Sequence, residues 1–329
     1  MNDPGKLKYL LLAFKLLVLA AIVYWLWRNF PKEHWQVLTN QKKDWVLLAQ
    51  GLIVTVTAVL VSFWRWMLLV RAVGVRMSLA EAVRLGFMGN LLNQISIGSV
   101  GGDLFKAIEA ARRSNGKRTE VVASVLVDRA VGLLGLLLIT ATVLQTSSQS
   151  NRILDTIRWG STILAAIGLA GLLAIATVGR KLSTKQLLRL PWIGHQARRF
   201  VDACMIFQGR YRLLTEVVLS SVVVHTLLTL SCVLVSHALY NETPTLRDHF
   251  TAIPPAIAAA TLPITPGGLG LQEAAIDGLF KQIGKLPEGY SPLVMAIFFR
   301  GLLLATTLIG ALYYLTGVGS QRKPVDPTV

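Results

Sequence analysis

Charged residues and cysteines are scarce in this 329-residue sequence. Only 15% of the residues are charged and 53% are hydrophobic, whereas soluble domains average about 25% charged residues. The composition therefore predicts an all-α polytopic membrane protein. Two cysteines, Cys204 and Cys232, are too few for a disulfide framework.

Signatures of catalysis are also missing. The sequence has no Gly-x-Ser-x-Gly motif, no Walker loop and no Cys/His spacing typical of a metal site. No stretch looks like a soluble domain able to hold a nucleotide or an aminoacyl-tRNA. We therefore expect no enzymatic activity, no cofactor and no metal, with an intramembrane enzyme acting on a lipid as an alternative.

The net charge of +16 raises the question of nucleic acid as a partner. The basic residues, however, lie in short loops between apolar stretches. That distribution is typical of cytoplasmic loops that face anionic lipid headgroups. We expect no nucleic-acid partner.

Six apolar stretches are long enough to cross a hydrocarbon core of about 30 Å, which takes about 20 helical residues. They lie near 8–27, 46–69, 120–144, 159–178, 213–239 and 291–316. The first follows Lys6 and Lys8 and is interpreted as a signal anchor. Two further apolar stretches, 79–113 and 249–284, are interrupted in the middle.

Basic residues predict the orientation. The segment 179–212 is strongly basic and is therefore placed in the cytoplasm. Counting spans from it places both termini inside, both flanks of 79–113 inside, and both flanks of 249–284 outside. Each interrupted segment must then enter the membrane and return on the same side. The basic residues of 28–44, which this scheme places outside, fit poorly.

The result is an inverted-topology repeat of about six transmembrane helices and two re-entrant broken helices, the sequence sign of an alternating-access carrier. The predicted organisation is an anchor and external loop (1–45), a first unit (46–144) with re-entrant 79–113, a span and basic amphipathic segment (145–212), a second unit (213–316) with re-entrant 249–284, and a cytoplasmic tail (317–329).

Each interrupted segment contains a double glycine followed by an acid. The stretches are NQISIGSVGGDLFKA (93–107), with Asp103, and LPITPGGLGLQEA (262–274), with Glu273. Helices over 103–112 and 271–283 would be about 15 and 20 Å long, so both breaks are predicted near the middle of the bilayer. Free amides at the start of such half-helices would form a site for an anion. The alternative is a pair of surface loops.

Charged residues inside the spans are predicted to form two pairs, Asp103 with Arg129 and Glu273 with Arg300. Arg129 and Arg300 each lie about ten residues into a span, where a lone charge is costly. They could bind an anionic headgroup or only neutralise the acids, and the acids could instead carry a coupling proton or cation. We expect Arg129→Ala and Arg300→Ala to abolish activity without preventing insertion.

Two residues of the second span are interpreted differently. Arg65 is expected to extend toward a membrane interface. Trp66, like the neighbouring tryptophans, is expected in the interfacial aromatic belt.

Three motifs resemble those of the lysylphosphatidylglycerol synthase transmembrane, or flippase-like, family. They are NLLNQISIGSVGGDLFKA (90–107), VLVDRAVGLLGLLL (125–138) and LPITPGGLGLQEAAI (262–276), and the resemblance extends over about 45–316. The matched positions are Asn93, Gly101, Gly102, Asp103, Lys106, Asp128, Arg129, Gly132, Pro263, Gly267, Gly268, Gly270 and Glu273. The family commonly has arginine where this chain has Lys106, which keeps the charge but lacks the planar fork.

The resemblance implies a bacterial inner-membrane protein that moves a phospholipid or lipid-linked substrate between leaflets. Its headgroup or coupling site would comprise the matched positions other than Gly132, together with Arg300. The aminoacyl-transferase domain of larger relatives is not found in the sequence, so a synthase is not expected. The alternative is a non-transporting membrane partner of a lipid- or glycan-modifying enzyme. A second copy of the chain or a lipid-biosynthesis enzyme is the expected protein partner.

Overall fold

The computed structural model describes residues 42–96, 100–112, 118–147, 149–178, 205–262, 267–284 and 286–316. Within these ranges the regular structure is entirely helical, apart from turns and loops. The helices are α1 (Trp45–Ala72), α2 (Leu79–Ile95), α3 (Val100–Ala111), α4 (Arg118–Gln145), α5 (Arg152–Val178), α6 (Tyr211–Leu239), α7 (Leu246–Ala260), α8 (Leu271–Ile283) and α9 (Pro292–Thr316). A short 3-10 turn, Met205–Phe207, precedes α6.

Five of these helices, α1, α4, α5, α6 and α9, are long and apolar enough to cross a membrane. They correspond to the predicted spans 46–69, 120–144, 159–178, 213–239 and 291–316, so the all-α polytopic class is confirmed. The sixth predicted span, 8–27, lies outside the described residues. So do most of the basic segment 179–212 and the tail 317–329.

The two interrupted stretches each form a pair of shorter helices packed against each other, α2 with α3 and α7 with α8. Both pairs begin with the same type of N-terminal cap. Ser78 caps α2 in a reciprocal hydrogen-bonded box with Glu81, and Thr245 caps α7 in the same way with Asp248. Such a box satisfies backbone amides that a helix start leaves unpaired.

The helix order span, half-helix, half-helix, span occurs twice, in a first unit (α1–α4) and a second unit (α6–α9). The equivalent helices α1 and α6 lie side by side and run in opposite directions. The amide of Asp44, before α1, donates to the carbonyl of Ala238 near the end of α6 (2.9 Å). At the other end, Arg210 donates from the start of α6 to the carbonyl of Ala72 (2.8 Å).

The first half-helix of each unit packs on the last span of the other unit. Half-helix α2 packs on the last span of the second unit, α9, and half-helix α7 packs on the last span of the first unit, α4. The α2–α9 contact is very close, because a methyl group at Gly310 would overlap the carbonyl of Phe87. Helix α5 packs on α4 at the edge of this assembly.

A buried polar cluster joins α6, α7 and the loop before α9. The hydroxyl of Ser236 lies 2.7 Å from Nε2 of His249 and 2.9 Å from the phenol oxygen of Tyr290. Ser236 and His249 are fully buried. Since an unsatisfied buried hydroxyl is costly, the cluster fixes how these three segments pack.

The aromatic-belt prediction is wrong for Trp66, which is 1% exposed in the main apolar cluster. It packs with residues of α2, α3 and α4. Helix α1 is predominantly apolar on both its buried and its exposed sides, and such a helix does not show clearly from its own sequence which side faces its neighbours. The tertiary contacts decide the orientation instead.

Candidate functional site

The two interruptions of the helices meet inside the protein. We call residues 96–99, between α2 and α3, the first break, and residues 261–270, between α7 and α8, the second break. The carbonyl of Ser96 accepts a hydrogen bond from the amide of Gly267 (3.1 Å). Gly267 has φ of +57°, and a methyl group there would lie 2.7 Å from the side-chain oxygen of Gln94. Only glycine fits this contact without strain.

At the first break, side chains of the preceding segment cap α3. The amide of Gly101 donates to the hydroxyl of Ser96 (2.9 Å), and the amide of Gly102 donates to the side-chain carbonyl of Asn93 (2.7 Å). A methyl group at Gly102 would overlap the carbonyl of Gly89. Asn93, Gly101 and Gly102 therefore have a local role in closing the α2–α3 hairpin.

At the second break, glycines provide backbone conformations that other residues rarely adopt. Gly267, Gly268 and Gly270 have φ of +57°, +70° and +79°. The carboxylate of Glu273 accepts from the amide of Gly270 (2.8 Å) and so caps α8. Pro263 lies outside the described residues.

These caps change the interpretation of the half-helix ends. The amides of Gly101, Gly102 and Gly270 already donate to side chains of the protein itself. The expectation that they form an anion site is therefore wrong for these three amides. Polar side chains nearby in the sequence accept hydrogen bonds from these amides, as is common at the start of a helix.

Asp103, on the first turn of α3, is held by two cations. Nε of Arg129 donates to one of its carboxylate oxygens, as predicted, and Nζ of Lys106 lies 2.9 Å from the other. Lys106 is also 5.3 Å from the centre of the Trp66 ring, within reach of a cation–π interaction. The side chain of Arg129 is 43% exposed, whereas that of Asp103 is 13% exposed.

The predicted pair of Glu273 and Arg300 is also present, but it is far more enclosed. Nε of Arg300 donates to Glu273 at 2.5 Å. Its two Nη atoms donate to the carbonyls of Gly267 (3.2 Å) and Gly268 (3.1 Å). All three guanidinium nitrogens of Arg300 are thus used to hold the second break, and the side chain is 8% exposed. Of the two roles considered for Arg300, the geometry favours the structural one.

A third pair was missed. Nε of Arg65 donates to the carboxylate of Asp128 at 2.8 Å, and the two side chains are 7% and 10% exposed. The expectation that Arg65 extends to an interface is therefore wrong. The available signal was Asp128 itself, because an acid inside a span needs a partner and the predicted pairs left it without one.

His225 on α6 was also not included among the site residues. Its Nε2 lies 3.1 Å from the carbonyl of Gly132 on α4, and the hydroxyl of Ser221 donates to the same carbonyl (3.3 Å). His225 is 9% exposed. It is a packed polar residue, and it also borders the cavity described next.

A cavity of about 770 Å³ lies where the two units meet. Its charged and strongly polar lining comprises Arg65, Asn90, Asn93, Gln94, Asp103, Lys106, Asp128, Arg129, His225, Gln272 and Arg300. With Glu273, the partner of Arg300, these residues carry four cations and three carboxylates, so the site has a net charge of +1. Volumes of 300–1,000 Å³ are typical of ligand sites.

A metal ion is not supported by these residues. Across the ranges that the structure describes, no group of three or more His, Cys, Asp or Glu side chains could hold one. The three acids of the site each have a cationic partner instead.

The family model described as "Lysylphosphatidylglycerol synthase TM region" matches residues 12–310. The chain belongs to this family. The match confirms the resemblance to the lysylphosphatidylglycerol synthase transmembrane family, and it covers both breaks and the three ion pairs described above. Together with the five apolar helices, it makes the protein a multi-pass membrane protein. Comparison with curated proteins returns no significant match.

Proposed function

We propose that the protein moves an anionic lipid between the leaflets of the bacterial inner membrane, with the headgroup held in the cavity between the two units. The observation that carries this proposal is the net positive cavity lined by Arg129. Arg129 borders the cavity and its side chain is 43% exposed, so an anionic oxygen can approach it. An arginine can bind a phosphate through two parallel hydrogen bonds.

The architecture supports a carrier. Equivalent helices α1 and α6 are antiparallel, and each half-helix hairpin packs across onto the other unit. We infer that the units form an inverted repeat with re-entrant hairpins over 79–113 and 249–284. Broken backbone in a membrane is tolerated where it is buried in protein or borders a wet cavity. Gln94, before the first break, and Gly267, in the second, both line the cavity, which supports such a placement.

The two units offer a simple mechanism. In inverted-repeat carriers, one unit rocks against the other around a central site. Because the breaks touch through the Ser96–Gly267 hydrogen bond, such rocking changes the cavity from both sides. Arg300 stabilises the backbone conformation of the second break, while Arg129 contacts the headgroup.

Leaflet exchange in proteoliposomes tests the proposal. We expect the purified protein to accelerate exchange of a fluorescent phosphatidylglycerol and Arg129→Ala to lose most of this acceleration. The matched control is Arg152→Ala, on the exposed first turn of α5, which should keep it. Absence of exchange for every headgroup tried, with folded protein, would refute the carrier. A modified lipid appearing without exchange would favour an enzyme.

The proposed orientation has its own test. With both native cysteines replaced, Asn115→Cys should react only with a membrane-permeant thiol reagent, because the residue is placed in the cytoplasm. Gly284→Cys should react with an impermeant reagent added outside. External labelling at position 115 would overturn the re-entrant topology and with it the cytoplasmic termini.

A further inference from the structure

Carboxamide side chains are a second polar feature of the cavity lining. Besides the ion pairs, four carboxamides line it, and three of them, Asn90, Asn93 and Gln94, follow one another on one side of α2. Gln272, the fourth, comes from α8. A carboxamide both donates and accepts hydrogen bonds, as does a hydroxyl group, whereas a bare phosphate accepts and an ammonium group donates.

Besides Asp103, whose carboxylate is paired with Lys106 and Arg129, three side chains that line the cavity each have a buried polar atom without a hydrogen-bonding partner among the described residues. These atoms are Nη1 of Arg65, Nδ1 of His225 and Oε1 of Gln94. Arg65 and His225 are 6% and 9% exposed, so both are more than nine-tenths buried. An unsatisfied buried polar atom costs about 1–3 kcal/mol, and such atoms in a native site call for a ligand or another explanation.

The hydrogen-bonding direction of each atom is defined. Nη1 of Arg65 can only donate. Nε2 of His225 faces the Gly132 carbonyl at 3.1 Å and must donate to it, which leaves Nδ1 as an acceptor when the ring is neutral. Oε1 of Gln94 is likewise an acceptor.

Arg65 and His225 both lie near Gly132, whose carbonyl is 3.1 Å from Nε2 of His225. A methyl group at that glycine would lie 3.5 Å from Nη2 of Arg65. The three residues that carry this donor and these two acceptors thus line the same cavity. A phosphate could satisfy only the donor and an ammonium group only the acceptors, but a hydroxyl satisfies one of each.

We propose that the cavity selects an anionic lipid headgroup that carries hydroxyls, such as a glycerol, polyol or sugar phosphate, through Arg65, Gln94 and His225. The inference rests on the proposed function, in which Arg129 takes the phosphate. The three atoms are covered in this conformation, so the hydroxyls reach them when neighbouring side chains move aside.

Two lipids that differ only in their hydroxyls test the selectivity. Phosphatidylglycerol and phosphatidylpropanol with the same acyl chains have the same charge and the same number of headgroup carbons. We would incubate the full-length protein in neutral detergent with equal amounts of both and of phosphatidylcholine, and measure bound lipid by native mass spectrometry. We expect about tenfold more phosphatidylglycerol than phosphatidylpropanol, the ratio for one or two hydrogen bonds.

Variants assign the selectivity to residues. Gln94→Met and His225→Phe should bring the ratio of the two anionic lipids toward one while both still exceed phosphatidylcholine. Gln145→Met and His237→Phe are matched controls, because both residues are exposed and neither lines the cavity; they should keep the ratio.

The possible failures are distinguishable. Equal binding of the two anionic lipids by the wild type, both above phosphatidylcholine, would overturn the hydroxyl site. It would leave the proposed binding of anionic lipids in the cavity unchanged. Equal binding of all three lipids would refute the proposed preference of the cavity for anionic lipids. Because these comparisons use the unmodified chain, they stand even where a variant does not fold.

Discussion

Replacement of Arg300 by methionine should destabilise the protein much more than the same replacement of Arg129. In the wild type, Arg300 neutralises Glu273, whose side chain is 11% exposed, and donates to the carbonyls of Gly267 and Gly268. Arg300→Met leaves a buried carboxylate and two buried carbonyls without these donors. Breaking a buried pair from one side costs about 3–5 kcal/mol, a large share of the 5–15 kcal/mol of a typical fold.

For Arg129 the structure predicts a smaller effect. Its side chain borders the cavity and is 43% exposed, so it is much less enclosed by protein than the side chain of Arg300, which is 8% exposed. Asp103 also keeps Lys106 at 2.9 Å as a second cation. Arg129→Met should therefore fold almost as well as the wild type and lose transport.

Equilibrium unfolding in mixed detergent micelles measures both effects. A double variant, Arg300→Met with Glu273→Gln, removes the stranded charge and should recover about 1–3 kcal/mol relative to the sum of the single changes. The reasoning would be refuted if Arg300→Met unfolded like the wild type, or if Arg129→Met cost as much as Arg300→Met. The earlier expectation that both arginines act alike would then apply.

Two further predictions concern packing. Gly102→Ala should cost about 2 kcal/mol or more, since its methyl group would overlap the Gly89 carbonyl; Gly278→Ala, in open space on α8, should be neutral or slightly stabilising. Ser236→Ala should cost about 1–3 kcal/mol, because it removes the hydroxyl that joins three segments, while Thr57→Ala on the exposed side of α1 should be near neutral. Thermal unfolding in detergent measures all four, and equal midpoints within either pair would contradict the corresponding assignment.

Local features of the sequence predicted much of the architecture. Apolar length is sufficient to find a span, and the Gly-rich interruptions marked both breaks, because neither property depends on distant residues. The pairs of Arg129 with Asp103 and of Arg300 with Glu273 were predicted from the equal depth of the two arginines along their spans. A charge inside a membrane protein is stabilised by an oppositely charged partner.

Long-range contacts could not be predicted in this way. The Arg65–Asp128 pair and the burial of Trp66 depend on how α1 is rotated, and a helix whose buried and exposed sides are both predominantly apolar does not encode its rotation clearly in its own pattern. The caps at Gly101 and Gly102 depend on a chain reversal that places Ser96 and Asn93 over the start of α3. The hydrogen bond between the two breaks joins distant parts of the chain.

The exchanged half-helices have a consequence for biogenesis. Because α2 packs on α9, the first hairpin cannot meet this neighbour until the ribosome has made the chain through residue 316. The first unit must wait in the bilayer or beside the insertion machinery with that surface uncovered. Assembly of this part of the fold therefore depends on α9, and a nascent chain that stops before α9 lacks both the neighbour of α2 and one wall of the cavity.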